Sequence, residues 1–211
     1  QGLVAHYTFD EGSGAVARDS ASGNDAEIHG ATFAKLSQGY ALEFNGVDDY
    51  LVRHGNLGIK DALTVEAWVK PHSMPVGEPG IVGTGDFYNE FFGLSYYEGR
   101  CYFYVSTGGN NCYTNLAPGS WHHVAGTYDG ANLKLYADGV NVATQAATGG
   151  LTAGALPLLI GTNLTNYFNG KIDEVRLYDR ALSLTEIGRL VAGNQPAMSA
   201  GSPDSATQRN G

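Results

Sequence analysis

Cysteine, tryptophan and basic residues are all scarce in this sequence of 211 residues. It has two tryptophans and two cysteines. Because two cysteines cannot supply three or four thiolates, a zinc site of that kind is excluded. Its 12 Lys and Arg residues stand against 21 Asp and Glu, and the resulting formal net charge of −9 argues against nucleic acid or an anionic membrane as partner. The sequence also lacks an apolar run near the ~20 residues that span a bilayer, so we expect no membrane insertion.

Glycine, tyrosine and short alternating runs are abundant instead. There are 30 glycines and 13 tyrosines, and clusters of Gly, Asn, Asp and Ser separate the alternating apolar stretches. This pattern is typical of an antiparallel, all-β, two-sheet sandwich, and the length fits one domain. The predicted strands are 3–9, 26–29, 40–44, 50–53, 63–70, 80–84, 91–97, 101–106, 121–128, 132–138, 140–145, 157–161 and 171–178.

One short helix is predicted near the C-terminal end, over residues 182–191. Leu184 and Ile187 recur at helical spacing within an apolar pattern. Ser183 and Glu186 form a capping box, in which each side chain satisfies a free backbone N–H of the first turn.

The residues after this helix are rich in Pro, Gly and Ser, which is typical of a linker. We therefore expect one domain over residues 1–193 and a linker or tail over 194–211. A domain followed by a linker indicates a module covalently attached to a neighbouring domain in a longer protein.

Six stretches, taken in order, carry a resemblance to a known family. They are LVAHYTFDEGSG, ARDSASGNDAEIHGATF, ALEFNGVDDYLVR, LTVEAWVKP, WHHVAGTYDGANLKLYADGV and NGKIDEVRLYDRALSLTEI. Over about residues 2–191 the chain resembles the laminin-G-like jelly rolls of the concanavalin A-like superfamily, of the bacterial carbohydrate-binding-module type. The resemblance implies two curved sheets facing each other, a structural calcium ion and, in many bacterial members, glycan binding beside a catalytic domain.

Acidic and amide side chains at two distant places are candidate calcium ligands. Asp19 and Asn24 lie on a glycine-containing loop, and alternation along the last strand puts Asp173 on the same face as Val175, the core side. The residues alone leave two interpretations open, a calcium ion or a set of turn and backbone hydrogen bonds. The resemblance favours a structural calcium held by Asp19, Asn24 and Asp173, with Asp10 as a further ligand.

Catalytic patterns are weak in this sequence. Glycoside hydrolysis needs two carboxyl groups on either side of the scissile bond, and Glu66 stands alone on its strand. There is no Gly-x-Ser-x-Gly elbow, and the adjacent His122 and His123 diverge on a strand. We therefore expect a non-catalytic protein, with a lyase that uses tyrosine and histidine kept as an alternative.

The hairpin over residues 99–114 is the main candidate for ligand binding. Alternation directs Phe103 to the core and Tyr102 and Tyr104 outward, where a tyrosine ring can stack on a sugar and its hydroxyl can bond one. The alternative is that these tyrosines are ordinary outward-facing strand residues. The predicted ligand-binding residues are Tyr88, Tyr97, Arg100, Tyr102, Tyr104, Asn110, Asn111 and Tyr113.

The two cysteines, Cys101 and Cys112, flank this hairpin. We expect a disulfide between them, which would constrain the unfolded chain by about 3 kcal/mol and hold the loop in its binding conformation. The alternative is a pair of free thiols.

Together these patterns predict a non-catalytic module that is secreted or on the cell surface. It would bind a polysaccharide or oligosaccharide and target an attached enzyme or surface protein to it. Two alternatives stay open: an adhesion module that binds protein, and a polysaccharide-degrading hydrolase or lyase.

Overall fold

The protein is a two-layer β-structure with one helix, seen in a computed structural model that describes residues 2–75, 77–84, 92–106, 111–151 and 156–196. The described residues form sixteen strands and one helix. In chain order they are β1 Leu3–Tyr7, β2 Val16–Ala17, β3 Ala26–His29, β4 Thr32–Lys35, β5 Tyr40–Asn45, β6 Tyr50–Arg53, β7 Leu63–Pro71, β8 Gly80–Thr84, β9 Phe92–Tyr97, β10 Arg100–Val105, β11 Asn111–Asn115, β12 His122–Tyr128, β13 Asn132–Ala137, β14 Val140–Ala146, β15 Leu158–Ile160, β16 Asn169–Tyr178 and α1 Leu184–Gly193.

The strands form two antiparallel sheets of eight strands each. Sheet 1 has the order β14-β13-β12-β7-β16-β5-β4, with β1 paired to β16. Sheet 2 has the order β11-β10-β9-β8-β15-β6-β3-β2. The all-β sandwich predicted from the sequence is confirmed.

The core lies between the two sheets and follows the alternation of the strands. On β7, Val65 and Val69 belong to the core, as do Leu94 on β9 and Phe103 on β10. Phe103 packs directly on Gly126 of the opposite sheet, where a Cβ would lie 2.2 Å from its ring. A larger residue at Gly126 would therefore force the two sheets apart at this point.

The helix α1 covers part of the outward face of sheet 1. Ser183 caps it by accepting a hydrogen bond from the Glu186 backbone N–H, while the Glu186 side chain accepts from Ser183, so the predicted capping box is confirmed. Ile187 is fully buried in a small cluster with Ala125 and Tyr136. The C-terminal part of the domain is therefore tied to sheet 1, and the outward face of sheet 2 lies on the other side of the molecule.

A β-bulge in β16 changes which way its polar side chains point. Asp173 pairs with Trp68, but the register shifts before Arg176, which pairs with Glu66. Glu174, the extra residue, has a φ of 52°. The bulge puts Asp173 on the outward face of sheet 1, so the prediction that it shares the core-facing side with Val175 and Leu177 is wrong.

Candidate functional site

The tyrosines of the 99–114 hairpin lie on the outward face of sheet 2. In β10, Phe103 and Val105 are buried while Tyr102 and Tyr104 are half-buried, as alternation predicts. On the neighbouring strand β11, Tyr113 pairs with Tyr102 and is 53% exposed. We call the outward surface of β9, β10 and β11 the tyrosine face.

Aromatic and cationic groups contact one another on the tyrosine face. The rings of Tyr102 and Tyr113 have centroids 5.3 Å apart and are tilted by 34°. The guanidinium carbon of Arg100 lies 5.3 Å from the Tyr113 ring centroid. A hydrogen bond to the Tyr102 side chain raises the pKa of Arg100 above its ordinary value. The three side chains therefore fix one another as a permanently cationic aromatic platform.

Tyr104 leans from β10 across the neighbouring strand β9. It pairs with Gly93, and a Cβ at Gly93 would lie 2.1 Å from the Tyr104 hydroxyl oxygen. Gly93 in turn pairs with Gly83 on β8. Any larger residue at Gly93 would push the Tyr104 ring away from the sheet, so the glycine sets the position of the tyrosine.

Six of the predicted ligand-binding residues share the tyrosine face. The register pairs Arg100 with Tyr97 on one side and with Asn115 on the other, and it pairs Tyr104 with Asn111. The six are Tyr97, Arg100, Tyr102, Tyr104, Asn111 and Tyr113. The other two, Tyr88 and Asn110, lie outside the described residues. That any of these residues binds a ligand stays a prediction.

The predicted disulfide is not formed in the structure. Cys101 and Cys112 are both free, buried thiols. The strand register pairs Cys101 with Thr114 and Cys112 with Phe103, so the two cysteines are diagonal neighbours rather than a directly opposed pair. Burial raises the pKa of Cys101 to about 12 and also raises the pKa of Cys112, so both thiols stay protonated. Each acts as a small core residue.

A polar cavity of about 190 Å³ lies against sheet 1 where the chain leaves α1, and its lining includes Asp10, Asp173, Glu174 and Asn194. Asp173 is 5% exposed and accepts the Glu174 backbone N–H at 2.8 Å. Burial, followed by the nearby charges of Glu174 and Asp10, raises the pKa of Asp173 to about 8. A bound cation would remove this electrostatic cost, so Asp10 and Asp173 fit the oxygen chemistry of calcium.

The other two predicted calcium ligands lie elsewhere. Asp19 accepts hydrogen bonds from the backbone N–H groups of His6 and Ala21, both at 2.9 Å, and from the Ser22 hydroxyl at 2.6 Å. Burial would raise the pKa of Asp19, but these hydrogen bonds outweigh it and lower the pKa. Asp19 and Asn24 therefore form a self-satisfied turn, and neither is among the residues that line the cavity of Asp10 and Asp173. Among the described residues, no group of three or more His, Cys, Asp or Glu is arranged to hold a metal ion.

A Ser–His–Glu row that the sequence patterns did not predict lies beside this turn. Ser20 Oγ is 3.0 Å from His6 Nδ1, and His6 Nε2 is 2.9 Å from Glu174 Oε2. Acyl transfer would also need backbone N–H groups free to stabilise an oxyanion. The Ser20 N–H donates to the His6 carbonyl, and the Ala21 N–H donates to Asp19. We therefore interpret the row as a structural contact between the N-terminal loop and β16.

The row continues into a buried chain of charges beneath α1. Glu174 also pairs with Arg176, whose Nη1 donates to Glu66 Oε1 at 2.8 Å. Glu66 is fully buried, and its second oxygen lies 2.5 Å from His123 Nε2. Glu66, the single glutamate that the sequence offered as a catalytic acid, is thus held between Arg176 and His123, which gives it a structural role.

Comparisons with known proteins agree on the fold. Residues 44–188 match a laminin-G family of the concanavalin A-like lectin/glucanases superfamily. Human Pappalysin-1 is 26% identical over 190 residues, which are 76% of this chain and 12% of that protein. Mouse Pappalysin-1 is 36% identical over 83 residues, which are 36% of this chain and 5% of that protein. The chain therefore spans only a small part of these relatives.

Solved structures with a similar fold include domains of glycoside hydrolases. Domain 4 of AbnA, a GH43 extracellular arabinanase from Geobacillus stearothermophilus in complex with arabinotriose, has a TM-score of 0.74 at 21% identity, covering 90% of this chain and 98% of that one. Trypanosoma rangeli sialidase in complex with sialic acid has a TM-score of 0.70 at 22% identity, covering 94% of this chain and 34% of that one. At this identity the likeness concerns the fold.

None of the described helices is long and apolar enough to cross a membrane.

Proposed function

Because the chain belongs to a laminin-G family of the concanavalin A-like lectin/glucanases superfamily, we propose that it is a non-catalytic carbohydrate-binding module. The observation that carries the proposal is the tyrosine face, where Tyr102, Tyr104 and Tyr113 converge with Arg100 on one surface of sheet 2. Its ligand is a polysaccharide or an oligosaccharide derived from one.

The chemistry of the tyrosine face suits a sugar. A pyranose or furanose ring offers C–H groups that pack on an aromatic ring and hydroxyl groups that bond polar side chains. The neighbouring rings of Tyr102 and Tyr113 provide the aromatic surface, while Arg100, Asn111 and Asn115 provide donors and acceptors around it. Because Arg100 and the two rings are already held by one another, little side-chain entropy is lost when a ligand binds.

The comparison with domain 4 of AbnA supports the same proposal. That domain covers nearly the same length as this chain and was solved in complex with arabinotriose. We propose that the present chain likewise serves a larger, extracellular protein, by targeting an attached enzyme or surface protein to a polysaccharide. Support for the non-catalytic part of the proposal comes from the engaged N–H groups around Ser20 and from the burial of Glu66 in an ion pair with Arg176.

We also propose that a calcium ion stabilises the fold at the cavity of Asp10 and Asp173. These two carboxylates would bind it, and the ion would supply the positive charge that buried Asp173 lacks. Asp10 also holds the backbone N–H of Tyr40 at 3.0 Å, so an ion there would link the N-terminal loop to β5 and β16. Its role would be structural, since the tyrosine face lies on the other sheet.

A screen of immobilised polysaccharides tests the proposed function. The parent protein should be retained on at least one of arabinan, xylan, cellulose, pectin or a sialylated glycan. The variants Tyr102→Ala and Tyr113→Ala should lose at least about tenfold in affinity for it, or about 1.4 kcal/mol. Tyr40→Ala, which removes a half-buried tyrosine from sheet 1, is the matched control and should bind like the parent.

Two outcomes would contradict the proposal. Unchanged retention of both tyrosine variants would remove the tyrosine face from the binding site. Release of reducing ends or of unsaturated sugars by the parent would favour an enzyme, and capture of a protein ligand without any response to glycans would favour an adhesion module.

A further inference from the structure

A second aromatic cluster lies on sheet 2, far from the tyrosine face in sequence. His29 on β3 and Tyr50 on β6 are stacked, with ring centroids 4.5 Å apart and planes 5° apart. The Tyr167 ring, from the loop before β16, lies 6.4 Å from Tyr50. All three side chains are half-buried. We call His29, Tyr50 and Tyr167 the second platform.

The second platform faces the same way as the tyrosine face. On β6, Leu51 belongs to the core, so its neighbour Tyr50 points outward from sheet 2. The register pairs Tyr50 with His29, which therefore shares that direction. The Tyr167 ring lies on the same side, because it contacts the ring of the outward-pointing Tyr50.

Two glycines face outward on strands that lie between the two platforms. Gly83 on β8 pairs with Gly93 on β9, and Tyr104 leans over Gly93 towards them. Glycine inside a strand weakens a sheet and often marks a place where a ligand or another backbone comes close. These two glycines lie side by side in the middle of the sheet and add no side chain to the outward surface next to Tyr104.

The distance between the platforms sets the kind of ligand. Strand β10 is separated from β6 by β9, β8 and β15, which makes four inter-strand steps of about 4.8 Å, or about 19 Å. That span is too long for a single sugar ring and suits a linked chain that crosses the strands.

We infer that the second platform is a second sugar subsite, and that the protein therefore binds an internal stretch of a polysaccharide chain rather than a single terminal sugar. This inference rests on the proposed function of the tyrosine face. A chain held at both platforms gains from the second contact as an intramolecular event, so its affinity exceeds that of a chain held at one.

Titration calorimetry with oligosaccharides of increasing length tests the inference. The probes are the di-, tri-, tetra- and hexasaccharides of arabinan, xylan and cellulose. In the parent, affinity should rise at least about tenfold from the trisaccharide to the hexasaccharide of the best-bound series. Tyr50→Ala and Tyr167→Ala should abolish that rise and leave trisaccharide affinity within about twofold, whereas Tyr102→Ala should weaken both.

Controls keep the result specific to the second platform. Tyr50→Phe retains the ring stacked on His29 and should bind the hexasaccharide like the parent, and Tyr40→Ala should do the same. Thermal unfolding of each variant checks that it is folded.

Each outcome decides a different question. If Tyr102→Ala weakens binding but Tyr50→Ala and Tyr167→Ala bind the hexasaccharide like the parent, the second subsite is overturned and the proposed function stands. If affinity does not depend on chain length in the parent, the internal-stretch inference is also overturned. If the parent binds none of these probes and none of the polysaccharides in the screen, the proposed function fails and this inference fails with it.

Discussion

Asp173→Asn gives the sharpest prediction about the cavity on sheet 1. Asp173 is 95% buried, being 5% exposed, and its pKa is raised to about 8 from an ordinary value of 3.8, first by burial and then by Glu174 and Asp10. At about 1.4 kcal/mol per unit, this shift bounds the cost of the buried charge at about 6 kcal/mol. Water that enters the cavity screens part of this electrostatic cost. We therefore expect Asp173→Asn to be about 2 kcal/mol more stable than the parent at pH 9 in the presence of a chelator.

The sign of the pH dependence follows from linkage. Because the folded pKa lies above the unfolded one, the native state binds more protons between about pH 4 and pH 8, and the free energy of unfolding falls as pH rises through this window. The free energy of unfolding of Asp173→Asn should not fall in this window, and at pH 4 it should equal that of the parent. Added calcium at about 100 times its dissociation constant should stabilise the parent by about 2.7 kcal/mol at pH 9 and should not stabilise the variant.

Urea unfolding at pH 4, 7 and 9, in chelator and in calcium, measures both effects. The exposed Asp48→Asn is the matched control and should keep the behaviour of the parent. A variant less stable than the parent at pH 9 in chelator would refute the electrostatic argument. A parent whose stability is unaffected by calcium would refute the proposed ion.

Three further predictions concern the scaffold. Glu66→Gln should cost about 3 kcal/mol of unfolding free energy in urea, because it removes the fully buried partner of Arg176 and leaves that cation paired with Glu174, and a cost below about 1 kcal/mol would contradict this ion pair. Ser183→Ala should cost about 1 kcal/mol, measured the same way, since it removes the cap of α1, and an unchanged stability would mean that the cap contributes nothing. Because Cys101 and Cys112 are free, buried thiols, reductant should leave the melting temperature unchanged, and the two cysteines should react with a thiol reagent only after unfolding. A fall in melting temperature on reduction would show a disulfide.

The fold was accessible from the sequence because alternation is a local property. The strand around Phe103 shows it well, since its buried and half-exposed positions alternate as its apolar and tyrosine residues do. The capping box of Ser183 and Glu186 was equally readable, because both partners lie within one turn of helix.

Contacts between distant segments were not accessible in the same way. A single inserted residue, Glu174, creates the bulge that puts Asp173 on the outward face of sheet 1. The regular alternation of this strand in the sequence does not predict the bulge. Whether Cys101 and Cys112 form a disulfide depends on the register of the hairpin, and that register makes them diagonal neighbours. The second platform gathers residues from β3, β6 and a later loop, so only the three-dimensional order of the strands brings them together.

The central claim is that the outward face of sheet 2 binds a glycan, and mapping the contact by NMR tests it most directly. The isotope-labelled protein would be titrated with the best-bound oligosaccharide of the screen, with the aromatic resonances followed. We predict the largest shifts, and contacts to sugar protons, at Tyr102, Tyr104 and Tyr113. Shifts confined to sheet 1, around Tyr40 and α1, with the tyrosine face unperturbed, would contradict it.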